Sequence, residues 1–123
     1  MRTDMRDLRS LAQSYFDAAY DMDADRFSSI FHQASSVTRI GDDGDAAAIP
    51  IAAWLATVRT LTAPRTLRSE REDEIVSIDA EGGLAYVKLK LRIPPRRFTD
   101  ILSCLKIDGT WKIVQKVTAC ATD

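Results

Sequence analysis

Few residues in this chain could carry chemistry, and three stand out by type. His32 is the only histidine, and histidine is the side chain whose charge changes near neutral pH. Asp100 is a candidate proton acceptor, and the Tyr15 hydroxyl a candidate donor to a ligand carbonyl. His32 could equally bond backbone carbonyls at a helix end, and Tyr15 could be a core aromatic with a backbone partner. These three are the candidate catalytic residues.

A second set of residues could bind a ligand beside Asp100. Lys88 or Lys90 would face Asp100 across a hairpin through Pro94-Pro95. A partly desolvated lysine there could bind a carbonyl-bearing or anionic ligand, while the carboxylate orients the ligand or accepts a proton. The alternative is that the two charges neutralise each other at a cavity rim.

Trp54 and Gln115 extend the candidate binding set. Trp54 offers a flat apolar wall for a planar ligand, or is ordinary helical core. Gln115 offers hydrogen bonds to a ligand, or satisfies strand and helix ends. The candidate ligand-binding residues are Trp54, Tyr86, Lys88, Leu102 and Gln115.

Composition excludes several function classes. The 123 residues predict one domain, spanning 1–123, and 17 basic against 18 acidic residues give a net charge of -1. That balance lacks the general attraction to phosphate backbones that nucleic-acid binders need. Two cysteines form no disulfide framework, and no metal-ligand or cofactor motif is present. We therefore expect a cytoplasmic protein with no metal, no cofactor, no nucleic-acid partner and no membrane span.

Three helices are predicted, and they carry the candidates Tyr15, His32 and Trp54. Helical spacing predicts a helix from Asp4 to Met22. Asp23 or Asp25 can cap a second short helix that ends near His32. A third helix is predicted from Pro50 to Val58, because proline fits the first turn of a helix. The buried stripe of the first helix would comprise Leu8, Leu11, Ala12, Tyr15, Phe16, Ala19 and Met22.

Strands follow the helices. A brief extended run, Ser36–Ile40, precedes a turn at 41–45, and strand-like runs cover 72–79, 84–93 and 98–117, the last interrupted by Asp108-Gly109. No helix separates successive strands in this second half of the chain. The order predicts an α+β domain with an antiparallel sheet whose helices lie on one face.

The Asp108-Gly109 turn predicts the faces of that sheet. A two-residue hairpin loop pairs Lys106 with Trp111, and continuing the register pairs Leu102 with Gln115. One face then carries Asp100, Leu102, Cys104, Trp111, Ile113, Gln115 and Val117, joined by Tyr86, Lys88, Lys90 and Arg92. The opposite face would carry Lys116 and Thr118. It would also expose apolar side chains with no helix to cover them, namely Val87, Leu89, Leu91, Ile101, Leu105 and Val114. An uncovered apolar face of this kind predicts a homodimer built sheet to sheet.

Several motifs together carry a family resemblance over nearly the whole chain. They are Tyr15-Phe16-Asp17, Phe31-His32, Ala85-Tyr86-Val87-Lys88, Phe98-Thr99-Asp100 and the closing run from Asp108 to Val114. With them the chain resembles the nuclear transport factor 2-like superfamily, and within it the putative lumazine-binding group of SnoaL-like proteins. The resemblance implies a cone in which a curved antiparallel sheet wraps about three N-terminal helices around an interior cavity. It also implies a dimer through the convex sheet face.

The resemblance also implies a range of functions, since this superfamily includes isomerases, cyclases, dehydratases and scaffold domains. Tyr15 is the closest positional match to the helix-borne tyrosine of its ketosteroid isomerases, and Asp100 is a carboxylate on the cavity face. The second carboxylate of those enzymes has no match here. We expect a small-molecule-binding domain. If the domain is an enzyme, we expect cofactor-free acid-base chemistry on an apolar carbonyl compound or a planar heterocycle. The alternative is a non-enzymatic dimerisation or scaffold module.

Overall fold

Three helices precede most of a six-stranded sheet in the computed structural model, which describes residues 2–123. The helices lie on the inner face of the sheet, and we call the opposite side the outer face. The elements are α1 (Arg2–Asp21), α2 (Ala24–Ile30), β1 (Ser36–Ile40), β2 (Ala46–Pro50), α3 (Ile51–Val58), β3 (Glu74–Glu81), β4 (Leu84–Ile93), β5 (Arg96–Ile107) and β6 (Thr110–Thr122).

The helices form where the apolar spacing predicts them. From Leu8 to Ala19 the predicted stripe of α1 is buried. The carboxylate of Asp23 caps α2 by accepting from the amide of Arg26 at 3.1 Å, which satisfies one free donor of the first turn. The α+β prediction with three helices on one side of the sheet is confirmed.

The sheet is mixed, so the prediction of purely antiparallel pairing is wrong at one junction. Its strand order is β2-β1-β6-β5-β4-β3, and β1 pairs with β6 in parallel while the other neighbours are antiparallel. No hairpin joins β1 to β6, so no turn forces them to run in opposite directions. The short edge strand β2 was not predicted.

The register of the last hairpin holds only near its turn. Asp108 and Gly109 have φ of 49° and 79°, which suits a two-residue hairpin, and Cys104 pairs with Ile113 as predicted. One residue later a β-bulge intervenes, so Ser103 pairs with Gln115. The predicted pairs Leu102 with Gln115 and Asp100 with Val117 are therefore wrong, since Leu102 faces Lys116 and Asp100 faces Thr118.

The bulge has a large effect on side-chain direction. The extra residue of β6, Val114, shifts the alternation by one position, as bulges do when they re-aim a strand. Lys116, predicted on the outer face, is therefore buried on the inner face, while Gln115 and Val117 are exposed on the outer face.

The faces of β4 are also the reverse of the prediction. The loop at Pro94-Pro95 has two residues, so Ile93 pairs with Arg96 and Leu89 with Asp100. Inward positions consequently fall on apolar side chains, and Tyr86, Lys88, Lys90 and Arg92 leave the face that carries Asp100. The buried residues of β4 are Ala85, Val87, Leu89 and Leu91.

The outer face still exposes apolar side chains, although three of its predicted members are buried. Residues on β4, β5 and β6 contribute to it, and the larger ones are 39–59% exposed. The homodimer through this face stays a prediction, with a revised set of residues. They are Leu84, Tyr86, Ile101, Leu105 and Val117.

A membrane-crossing helix would need a long apolar stretch. Within residues 2–123, none of the helices meets that requirement.

Candidate functional site

A small cavity lies between the helices and the inner face of the sheet. Its volume is about 90 Å³, and its mouth opens to solvent. Tyr15, Asp100 and Lys116 supply its polar atoms, and the remaining lining side chains are apolar. Among these are Met22, Phe27, Trp54, Leu61, Leu91 and Phe98.

The buried carboxylate of Asp100 is held by two hydroxyl groups. Asp100 is 1% exposed, and its Oδ2 accepts from the Tyr15 hydroxyl at 2.6 Å. Its Oδ1 accepts from the Thr118 hydroxyl, one strand away on β6. Because a buried charge is costly without partners, these hydrogen bonds are what allow a carboxylate inside the core.

Lys116 brings a second charge into the same cavity. Its side chain is 7% exposed, and Nζ lies 3.8 Å from Asp100 Oδ2, which is an ion pair too long for a hydrogen bond. Nζ also lies 4.3 Å from the Trp54 ring centroid, within cation-π range. Nζ donates no hydrogen bond within residues 2–123, and because no buried side-chain nitrogen or oxygen in that part of the chain lacks a partner, Nζ must keep some accessible surface. Its donors are therefore available to a bound molecule.

Burial shifts the acid-base behaviour of two of these groups. It lowers the pKa of Lys116, an effect that the Asp100 charge partly opposes. It also raises the pKa of Tyr15 well above 10.0, and both the charge and the hydrogen bond of Asp100 act in the same direction. Tyr15 therefore remains a protonated donor, while the Lys116 ammonium loses its proton more readily than an exposed lysine.

An aromatic cluster positions the tyrosine and one cavity wall. The Phe27 ring packs edge-on against Tyr15 at 5.2 Å between centroids and against Trp54 at 4.8 Å. Phe31 completes the cluster, 6.3 Å from Phe27. Edge-to-face packing at these distances is favourable and restricts the rings, so α1, α2 and α3 are held together at the cavity.

Only three of the eight sequence-predicted site residues line this cavity. They are Tyr15, Trp54 and Asp100. Leu102 lies on the inner face and is fully buried, but it belongs to the core and not to the cavity wall. Tyr86 and Lys88 were predicted beside Asp100, and both lie on the outer face because of the β4 register.

His32 and Gln115 are also outside the cavity. At the end of α2, His32 Nδ1 accepts from the amide of Ala34 at 3.0 Å, and the backbone amide of His32 donates to Ile113. Gln115 Oε1 accepts from the Ser36 hydroxyl at 2.9 Å on the exposed side of the sheet. The His32 ring accepts from a backbone amide and Gln115 accepts from a side-chain hydroxyl, so these contacts differ from the structural alternatives given above, and neither residue lines the cavity.

Sequence reasoning missed Lys116 and Thr118. Both face inward because of the bulge at Val114, and a regular hairpin register would turn them outward. One signal was present, since the apolar alternation of Trp111 and Ile113 breaks at Ile113-Val114, where two apolar residues are adjacent.

A larger groove of about 570 Å³ lies elsewhere, along Glu72–Glu74 and the ends of β4, β5 and β6. Its charged groups are exposed, and several of them pair with each other at the surface, for example Arg97 with Glu72 at 2.8 Å. Within residues 2–123, no group of three or more acidic, histidine or cysteine side chains could hold a metal ion. The smaller cavity is the candidate site because it holds buried charges.

Comparisons with known proteins agree with the architecture. The family described as "Putative lumazine-binding" matches residues 3–118. No curated protein matches the chain.

Solved structures from several bacteria share the fold. An NTF-2-like protein of unknown function from Silicibacter pomeroyi is 22% identical over 98% of both chains, with a TM-score of 0.86. Another from Shewanella baltica is 20% identical over 98% of this chain and 96% of that one, with a TM-score of 0.89. A ketosteroid isomerase-like protein from Erwinia carotovora is 12% identical over 100% of both chains, with a TM-score of 0.76.

Proposed function

The chain belongs to the putative lumazine-binding family of the nuclear transport factor 2-like superfamily, and on that premise we propose that it binds a small, neutral carbonyl compound. The observation that carries this proposal is Lys116, whose side chain is only 7% exposed while its Nζ donates no hydrogen bond within residues 2–123 and keeps some accessible surface. A carbonyl oxygen of a ligand would accept from Nζ, and the apolar walls would cover the rest of the molecule.

Charge supports a neutral ligand. The positive charge of Lys116 and the negative charge of Asp100 balance inside the cavity, 3.8 Å apart. An anionic ligand would meet the carboxylate, and a cationic ligand would meet the ammonium, each at close range and with little water to screen them. A neutral hydrogen-bond acceptor avoids both repulsions.

Size restricts the ligand further. A volume of about 90 Å³ is well below the roughly 300–1,000 Å³ of pockets that hold drug-sized ligands. A compound with a single small ring fits if it extends into the mouth beside Phe98 and Leu61. A fused two-ring heterocycle such as lumazine requires the aromatic walls, Trp54 above all, to move outward.

We further propose that the site carries out acid-base chemistry at the carbonyl group of the bound ligand. The Tyr15 hydroxyl already donates a hydrogen bond to Asp100, so the group best placed to polarise a ligand carbonyl is Lys116. Asp100 would accept a proton from the carbon next to the carbonyl, since Lys116 polarisation makes that carbon more acidic. This division of roles replaces the sequence-based hypothesis in which Tyr15 stabilises the oxyanion and His32 is an alternative base.

The binding proposal can be tested by NMR with the two tryptophans as reporters. Cyclopentanone should shift the indole N–H signal of Trp54 and leave that of Trp111 in place. Trp111 donates to Asp4 at 3.2 Å and lies outside the cavity, so it is an internal control. Methylenecyclopentane has a similar shape without the oxygen, and should cause a smaller shift of Trp54.

Two further results test whether Lys116 recognises the carbonyl oxygen of the ligand. A Lys116→Met variant should lose the preference for the ketone over the alkene. Equal shifts for the two compounds in the natural protein, or equal movement of both indoles, would contradict recognition of a carbonyl oxygen.

For the partner, we propose a second copy of this chain paired through the outer face. Ile101 and Leu105 are exposed at its centre, and the face carries both signs of charge, with Asp79 on β3 and Lys88 on β4. A two-fold arrangement can place β3 of one copy, which carries Asp79, near Lys88 on β4 of the other.

The dimer proposal predicts a change of mass in solution. Ile101→Glu should convert a dimer to a monomer in size-exclusion chromatography with light scattering, because a charge at the centre of the interface is desolvated on pairing. Leu67→Glu, in an exposed loop away from the sheet, is the matched control and should remain dimeric. A monomeric natural protein would overturn the proposal, and a dimer that binds no ketone would favour the scaffold alternative.

A further inference from the structure

We propose that Lys116 is a nucleophile that forms an imine with small, uncharged ketones or aldehydes bound in the cavity. The proposal rests on the carbonyl-binding function above and goes beyond it, because binding alone needs only a hydrogen bond from Nζ. It is carried by the placement of Lys116, Asp100 and Tyr15 around one enclosed, mostly apolar volume.

The geometry supplies what an amine nucleophile needs. Lys116 is nine-tenths buried, its Nζ lines the cavity, and no hydrogen bond within residues 2–123 occupies it. A carbonyl compound in 90 Å³ of space cannot lie far from Nζ, so the reacting atoms are held close together. Burial also lowers the pKa of this lysine, which increases the fraction of the neutral, reactive amine.

Asp100 can carry the protons of the reaction. Its Oδ2 is both the acceptor of the Tyr15 hydroxyl and the oxygen nearest to Nζ. A change of the Lys116 side-chain torsions first brings Nζ from 3.8 Å to hydrogen-bond distance of Oδ2. The carboxylate then takes a proton from the ammonium, which frees the lone pair of Nζ. The lone pair then attacks the carbonyl carbon, forming the new C–N bond while the C–O π electrons move to oxygen.

The remaining steps return Asp100 to its starting state. Asp100 gives its proton to the alkoxide oxygen and takes one from nitrogen, producing a neutral carbinolamine. It then protonates the hydroxyl, which leaves as water while the nitrogen lone pair forms the C=N bond. The net change is ammonium plus carbonyl compound to iminium plus water, with no oxidant or reductant required.

The surroundings favour the product iminium and exclude charged substrates. An iminium carries the same positive charge as the ammonium, so its ion pair with Asp100 and its contact with the Trp54 ring are retained. A substrate with its own carboxylate would be repelled by Asp100. The substrate class is therefore an uncharged ketone or aldehyde with a small carbon skeleton.

The imine can be trapped with cyclopentanone and sodium cyanoborohydride, followed by peptide mapping for the mass of one cyclopentyl group. Lys116 should be labelled at least about tenfold faster than the other lysines, since the cavity holds the ketone beside its amine and the others react only by collision from solution. The other lysines, Lys88, Lys90, Lys106 and Lys112, are internal references in the same reaction.

Variants separate this proposal from simple binding. Lys116→Met should abolish the fast labelling, whereas Lys112→Met, at a lysine that donates to the Ser29 carbonyl, should leave it unchanged. If cyclopentanone shifts the Trp54 indole signal but Lys116 is labelled no faster than the other lysines, the imine proposal is overturned and the binding proposal stands. If the indole signal does not move and no fast label forms, both proposals fail.

Discussion

Asp100→Leu should destabilise the protein by about 3–5 kcal/mol in urea unfolding at neutral pH. The substitution leaves the Lys116 ammonium buried without its counter-charge, and it removes the acceptor of Tyr15 and Thr118. Unpaired buried charges and hydroxyls carry the full cost of leaving water, which is why removal of one partner is worse than removal of both.

A double-mutant cycle tests that physical reason. Lys116→Met alone should cost less, about 1–3 kcal/mol, because Asp100 keeps both hydroxyl donors. The double variant Asp100→Leu with Lys116→Met should recover part of the stability lost in Asp100→Leu. Costs that simply add would show that the two charges do not interact, contrary to the 3.8 Å ion pair.

Phe27→Ala should cost about 3–5 kcal/mol of unfolding free energy, the range for truncation of a buried phenylalanine. Phe27 is 2% exposed and contacts the rings of Tyr15 and Trp54 at once. Its loss leaves a void between α1, α2 and α3 and releases the wall of the cavity. The melting temperature, measured by circular dichroism, should fall by on the order of 10–20 °C.

Phe98→Ala is the matched control for this second prediction. Phe98 also lines the cavity, but it is only half-buried at the end of β5, so its removal creates little enclosed void. A loss as large as that of Phe27→Ala would contradict the role of the aromatic cluster as the support of the helices. Phe27→Leu should cost less than Phe27→Ala, because it refills part of the void.

The buried charges also distinguish this cavity from the isomerase site that the sequence suggested. In that hypothesis Tyr15 donates to the oxygen of the ligand carbonyl, and Asp100 or His32 is the base. Here the Tyr15 hydroxyl is directed at Asp100, and the lysine beside Asp100 is Lys116, not the predicted Lys88 or Lys90. The chemistry available is therefore that of an amine beside a carboxylate.

Periodicity was sufficient to predict the helices and the order of the main strands. The stripe of α1 repeats at helical spacing from Leu8 to Ala19, and burial of that stripe needs no detail of the partner surface. The turn at Asp108-Gly109 was equally local, because positive φ at two adjacent positions strongly favours this pair of residues. Tyr15 and Trp54 followed from their helices.

The faces of the strands were harder to predict, because a shift of one residue reverses every side chain. On β4 the alternation of apolar and charged residues from Val87 to Arg92 already indicated that Val87, Leu89 and Leu91 face inward. Placing the lysines beside Asp100 overrode that pattern and was wrong. The two-residue loop at Pro94-Pro95 pairs Asp100 with Leu89 instead.

By itself the sequence determined the helical stripes, the final hairpin turn and the helices-then-sheet order, since each depends on interactions between residues close together in the chain. Only the tertiary structure decided that Lys116 lies inside. That outcome depends on the bulge at Val114, and a bulge is stabilised by the pairing of two strands and by the packing of the helices beneath them. The charge pair at the candidate site is therefore a product of long-range packing.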